Sequence, residues 1–220
     1  MYLCIEFKRR IMEQTENWTD KAIENIIDAI DKIRFDRVTI LTGENGSGKS
    51  LIRKLIPYQL KEKNGGELVK VASTSMDRRT GLHSEMGGAG VFCRDNEWVA
   101  TSSNSLGFIK GLLNSTKDRF VVIDEPEIGM SDTLKISVGN WLNKNLPELL
   151  DRNKAVMIIT HSKDLVKEIT FDHDFINIQG LTEEEWMNEK PKLIDLDEWE
   201  ERNDELFKAL QKRLKNHARD

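Results

Sequence analysis

Three stretches of the chain bring together residue types that chemistry can use. The first, Gly43-Glu44-Asn45-Gly46-Ser47-Gly48-Lys49-Ser50, fits the pattern G-x-x-x-x-G-K-[ST]. Its glycines let the backbone fold back so that N–H groups point inward at phosphates, and a helix starting there adds its positive dipole end. In that arrangement Lys49 reaches the β and γ phosphates of a nucleoside triphosphate, and the Ser50 hydroxyl ligates Mg²⁺. The second stretch, Phe120-Val121-Val122-Ile123-Asp124-Glu125-Pro126, is an apolar run that ends in two adjacent carboxylates. On an extended strand the two point to opposite sides and take different tasks. Asp124 is expected to face the loop and hold Mg²⁺ through water, as a Walker B aspartate does, and Glu125 to polarise the attacking water as general base. The third stretch is Thr160-His161-Ser162, which follows another apolar run. Phosphate ligands collect at the carboxyl ends of parallel strands. His161 at such an end is placed to hydrogen-bond the γ-phosphate and to sense its loss.

These residues need elements that aim them at one point. Val38-Thr39-Ile40-Leu41 before the glycine-rich loop and the helical spacing of residues 51–56 after it give strand, loop, helix, the context that the pattern requires. Pro57 removes a backbone donor and is expected to kink or end that helix near Ile56. Upstream, Ala22, Ile23, Ile26, Ile27, Ile30 and Ile33 form the apolar face of a helix over 20–33, with Thr19 as its N-cap and Trp18 positioned to staple onto Ile23. Short strands are expected at 2–8, 68–72, 120–123, 155–160, 175–178 and 193–196. Between them, residues 73–98 read as polar, glycine-rich loops, a helix ends near Asn114, and 134–149 is a helix with Leu134, Val138, Trp141, Leu142 and Leu146 inward. From Asp197, with Asp197 and Glu200 as a cap-like pair, Trp199, Leu206, Leu210 and Leu214 recur at helical spacing in a solvated tail helix. Buried strands alternating with helices indicate an α/β fold with a mainly parallel sheet covered on both faces.

Composition narrows the class further. Of 220 residues, 32% are charged and 38% hydrophobic, with no apolar run near the roughly 20 residues that a membrane-spanning helix needs. The expectation is a soluble, cytoplasmic protein with no export leader, folded as a single domain over 1–220 with an insert at about 73–118 and a helical tail at about 197–220. Two cysteines, Cys4 and Cys93, make neither a disulfide framework nor a metal cluster. A formal net charge of −5 offers no global argument for nucleic acid, although local basic patches stay open.

The three stretches in this order resemble the ATP-binding-cassette (ABC) ATPase superfamily, over residues 36–178, and Ser131-Asp132 occupies the place of that family's D-loop. The resemblance implies a P-loop NTPase fold, ATP and Mg²⁺ as ligands, ATP hydrolysis, and an ATP-dependent homodimer in which each nucleotide lies between one subunit's phosphate loop and the other's signature motif. Here the chain departs from the pattern. In place of Leu-Ser-Gly-Gly-Gln it has Thr101-Ser102-Ser103-Asn104-Ser105, where Ser102 alone matches and stands as the candidate γ-phosphate contact in trans at the start of a helix toward Leu113. The family's Q-loop glutamine is also missing, with Asp77 of Ser75-Met76-Asp77-Arg78-Arg79 as the nearest polar substitute, and Arg78 or Arg79 as a contact to phosphate or a partner. About 75 residues separate Lys49 from Asp124, fewer than transporter cassettes carry, so the compact heads of soluble ABC ATPases in chromosome maintenance, DNA repair and antiphage defence are the closer resemblance. Three functions follow. One is an ATPase driving or gating an unidentified protein partner, in a process that could involve nucleic acid. The others are a transporter's nucleotide-binding subunit and an ATP-binding switch with little turnover. GTPase and small-molecule kinase readings lack support, because no Asn-Lys-x-Asp motif occurs and such kinases lack the adjacent Asp-Glu-Pro and the downstream histidine. An adenine-stacking aromatic is not assignable, with Tyr2 and Phe35 as weak candidates.

Overall fold

A computed structural model describes residues 18–63, 71–74, 101–191 and 193–217. In chain order these form α1 (Trp18–Lys32), β1 (Val38–Thr42), α2 (Lys49–Lys63), β2 (Val71–Thr74), α3 (Thr101–Ser115) and β3 (Phe120–Asp124). There follow α4 (Asp132–Arg152), β4 (Ala155–Ile159), α5 (Lys163–Lys167), β5 (His173–Asn177), α6 (Glu183–Asn188) and α7 (Leu196–His217). The strands build one parallel sheet in the order β2-β3-β4-β1-β5. This is the α/β P-loop NTPase fold, a parallel sheet between helices with the glycine-rich loop joining a central strand to the next helix.

The strand residues alternate between two cores, as the period of an extended chain demands. Val38, Ile40, Val121, Ile123, Val156 and Ile158 face one side, where Ile109 of α3, Val138 and Leu142 of α4, Leu165 of α5 and Trp186 of α6 cover them. Leu41, Phe120, Val122, Met157 and Ile159 face the other, against Ile26 and Ile30 of α1 and Ile52, Ile56 and Leu60 of α2. Each such side chain taken from water contributes about 1.5–3 kcal/mol, so both faces are strongly held. The ladder also sets the height of the strand ends. Leu41 and Asp124 both pair with Ile159, so β1, β4 and β3 finish on one row. Their loops carry all three chemical stretches.

Several boundaries differ from the sequence expectation. Helix α2 runs through Pro57 to Lys63, because Ile52, Ile56 and Leu60 are buried on both sides of the proline and their packing outweighs one lost backbone bond. Helix α1 begins at Trp18, which puts Thr19 inside the first turn and not at the cap. Residues 193–195 form no strand. Leu193, Ile194 and Leu196 are exposed, and Asp195, not Asp197, caps α7 by accepting from the backbone N–H of Asp197 (3.0 Å) and Glu198 (3.2 Å). Strand β2 extends the expected 68–72 segment to Thr74, with residues 64–70 outside the described set. The expected strand at 2–8, the 75–98 loops, Asp77, Arg78, Arg79 and Tyr2 also lie outside the described residues. Phe35 packs on Phe120 with ring centroids 5.4 Å apart, at the start of β3 and therefore at the opposite end of the sheet from the phosphate loop. It is not a base-stacking residue. Among the described residues, no helix is long and apolar enough to cross a membrane.

Candidate functional site

The glycine-rich loop leaves β1 at Thr42 and enters α2 at Lys49. Gly46 and Gly48 hold φ of 78° and 102°, a region that side chains rarely tolerate. Neither has room for a side chain. A Cβ on Gly48 would lie 2.4 Å from Cδ1 of Ile26 in α1, and one on Gly46 would lie 1.8 Å from Oδ1 of Asn203 in α7. The turn closes through the Ser47 N–H donating to the Glu44 carbonyl (3.2 Å), and α2 starts with Ile52 N–H donating to Gly48 (3.0 Å). Lys49 is buried and donates its Nζ to the carbonyls of Gly43 (2.9 Å) and Glu44 (2.8 Å). Burial holds its ammonium down to about 8, against the pull of Glu125 and Asp124. A cation lowered in this way, ringed by its own loop's carbonyls, is matched by an anion that brings back the lost solvation.

Asp124 sits at the end of β3 with its side chain 16% exposed, and burial raises its carboxyl to about 6 even though Arg53 of α2 lies 3.4 Å away. Arg53 was not anticipated from sequence. Its position one turn beyond Lys49 on an unremarkable helix carries no pattern, and only the packing of α2 beside β3 brings it to the carboxylate. Glu125 departs from the strand geometry expected for it. Its φ is 45°, so the chain turns sharply after Asp124 and the opposite-sides argument does not apply. The turn sends Glu125 Oε1 to 3.2 Å from His161 Nε2, and that hydrogen bond is the main reason its carboxyl lies below the usual range. The structure thus joins the second and third sequence stretches directly.

Glu127 completes this group and was also missed. It is buried, and its Oε1 accepts from the Thr160 hydroxyl (2.6 Å) and from the His161 backbone N–H (2.8 Å). It therefore ties the turn after β3 to the end of β4, the two pieces that hold Glu125 and His161. Three residues past Asp124, its signal was only another acidic side chain after Pro126. Ser105 of α3 donates to the carbonyl of Ile128 in the same turn (3.4 Å). Ser102 stands in the first turn of α3, the helix that the sequence placed there, on the β2 side of the sheet. Ser131 takes the N-cap position of α4 without a side-chain cap bond, and Asp132 pairs with Lys135 at 2.9 Å.

The loop fits a triphosphate on two observations besides its glycines: the buried Ser47 Oγ and the buried Asn203 Nδ2 have no hydrogen-bond partner among the described residues. Such groups are costly unless a ligand satisfies them. For Mg²⁺ the donor set is a hydroxyl, Ser50, and a carboxylate, Asp124, the oxygen chemistry this ion takes in small number alongside phosphate and water. Among the described residues no cluster of three or more His, Cys, Asp or Glu forms a self-sufficient metal site.

No protein-family model matches the sequence, and no curated protein matches it. Solved structures with some likeness include C. elegans PCH-2, at 18% identity and a TM-score of 0.33 over 80% of this chain and 47% of that one. Another is Drosophila ORC bound to AT-rich DNA and Cdc6, at 9% identity and a TM-score of 0.34 over 80% of this chain and 30% of that one. This chain therefore spans less than half the length of either.

Proposed function

We propose that this protein is an ABC-type ATPase that binds ATP with Mg²⁺, dimerises on it, and hydrolyses it to drive or gate a partner. The observation that carries the reading is the convergence of Lys49, Asp124, Glu125 and His161 from three different strand ends, with Glu125 and His161 in hydrogen-bond contact. Loop N–H groups and Lys49 bind and neutralise the phosphates. Ser50 and Asp124 hold Mg²⁺, which when bound neutralises charge on the transferred phosphate. Glu125 orients and polarises the attacking water, and His161, anchored through its backbone to Glu127, holds the Glu125 carboxylate and reports on the γ-phosphate. Ser102 at the start of α3 is proposed as the contact offered to the opposite subunit's nucleotide.

One observation favours a second reading, an ATP-binding switch with little turnover. The hydrogen bond from His161 lowers the proton affinity of Glu125, which makes it a weaker base. Glu125→Gln separates the two. For the ATPase, the variant forms an ATP-dependent dimer in light scattering and turns over about 10²- to 10⁴-fold more slowly than wild type. A wild type without multiple turnovers supports the switch, and a variant that stays monomeric at saturating ATP sinks the dimer.

A further inference from the structure

Helix α7 was expected to be a solvated tail, yet it lies against the phosphate loop. Its residues 199, 203 and 206 fall on one face at helical spacing. Leu206 is buried against Ile23 and Ile27 of α1, which fixes the helix to the same element that packs under Gly48. One turn earlier, the Asn203 carboxamide occupies the space where Gly46 would carry a side chain, with Oδ1, Cγ and Nδ2 at 1.8, 2.7 and 3.0 Å from an ideal Cβ. A further turn back, Trp199 Nε1 donates to the carbonyl of Asn45 (3.3 Å). Successive turns of α7 therefore hold the loop at Asn45 and Gly46.

Packing alone does not call for asparagine at the centre of this face. An apolar side chain would seat the helix without burying an amide. Instead Asn203 Nδ2 is buried with no acceptor among the described residues, and Ser47 Oγ, one residue along the loop from Gly46, is buried without a partner as well. Two orphaned groups flank the same glycine in a loop built to surround phosphate. We propose that α7 is a wall of the nucleotide site, with Trp199 clamping the loop and Asn203 donating its Nδ2–H to a phosphate oxygen of the bound nucleotide. This rests on the reading of the loop as a nucleotide site and adds a ligand from the far end of the chain. The glycine at 46 then serves the approach of α7 as well as the turn of the loop.

The test is the affinity of the whole chain for a non-hydrolysable ATP analogue with Mg²⁺, measured by titration calorimetry, so that turnover plays no part. Asn203→Ala is expected to bind about tenfold more weakly, the scale of one hydrogen bond to a charged group. Asn203→Asp, which keeps the shape and replaces the donor by a carboxylate, is expected to lose more than Asn203→Ala. Thermal melts check that both variants fold, and Asn203→Asp decides if Asn203→Ala does not. Either folded variant binding as tightly as wild type overturns the proposal, and tighter binding overturns it in favour of a plug. Lys49→Ala separates this from the underlying reading. If wild type binds no analogue, or Lys49→Ala binds it as well as wild type, the nucleotide site itself is refuted and α7 as its wall falls with it.

Discussion

Replacing Glu127 by alanine strands two donors at once. The Thr160 hydroxyl, buried, and the His161 backbone N–H, partly buried, both give their hydrogen bonds to Glu127 Oε1, at 2.6 and 2.8 Å. Each donor left without an acceptor costs about 1–3 kcal/mol, so the alanine variant should lose about 2–6 kcal/mol. In a chain of this size each kcal/mol moves Tm by about 2–4 °C, which predicts a fall of about 4–24 °C in calorimetric melting. Glu127→Gln is the matched control. It keeps a carbonyl oxygen for both donors and places its amide nitrogen where Oε2 is already buried without a partner, so it should stay within about 1 kcal/mol of wild type. The pair also has a functional signature. Because Glu127 positions the His161 backbone and does not touch the phosphate loop through any bond described above, Glu127→Ala should lower turnover while leaving ATP affinity near that of wild type. A Glu127→Ala protein that melts within about 2 °C of wild type would refute the argument that this carboxylate holds the ends of β3 and β4 together.

Other consequences can be checked separately. Burial lowers Lys49 to about 8. A base whose folded pKa is depressed costs the fold stability as pH falls from its ordinary value of 10.5 toward about 8, because the unfolded chain takes up the proton first and charging the buried group costs more. Phosphate reverses this, so at pH near 8, where about half of Lys49 is neutral, ATP binding should take up about half a proton, read as buffer-dependent heat in calorimetry. In Lys49→Arg, which stays charged, that uptake should vanish, and its persistence would assign the proton elsewhere. Gly139 of α4 meets α5 so closely that a Cβ would lie 2.4 Å from the Leu165 carbonyl oxygen. Gly139→Ala should therefore destabilise the fold by about 1–3 kcal/mol in denaturant unfolding, with an unchanged midpoint as the contrary result. Gly46→Ala should disturb the loop through both its φ of 78° and its clash with Asn203. Adding Asn203→Ala should restore part of the lost stability in melts, and no recovery would place α7 away from the loop.

The α/β layering could be read from residues alone because buried strands write near-continuous apolar runs, and 120–123 and 155–159 are unmistakable in that sense. The glycine-rich loop between strand and helix was equally legible, since its glycines and Lys49 serve a local backbone geometry within eight consecutive residues. Pro57 and the 193–196 segment were misjudged because local propensity was overruled by what lay across the chain: buried neighbours for the proline, and exposed side chains where a strand had been expected. Residues whose role depends on a distant partner left no local trace. Arg53 acts on Asp124, Glu127 on Thr160 and His161, and Asn203 on Gly46, each pairing residues far apart in the chain.

By itself, then, the sequence determined that this chain has a glycine-rich loop with a lysine, a carboxylate pair at a strand end and a histidine at another. Whether these meet is a matter of strand order, and only the β3-β4-β1 arrangement, with its strand ends in register, brings them to one edge. The tertiary structure alone decided that Glu125 turns to His161 and that α7 closes on the loop. Both depend on long-range packing that no local period encodes.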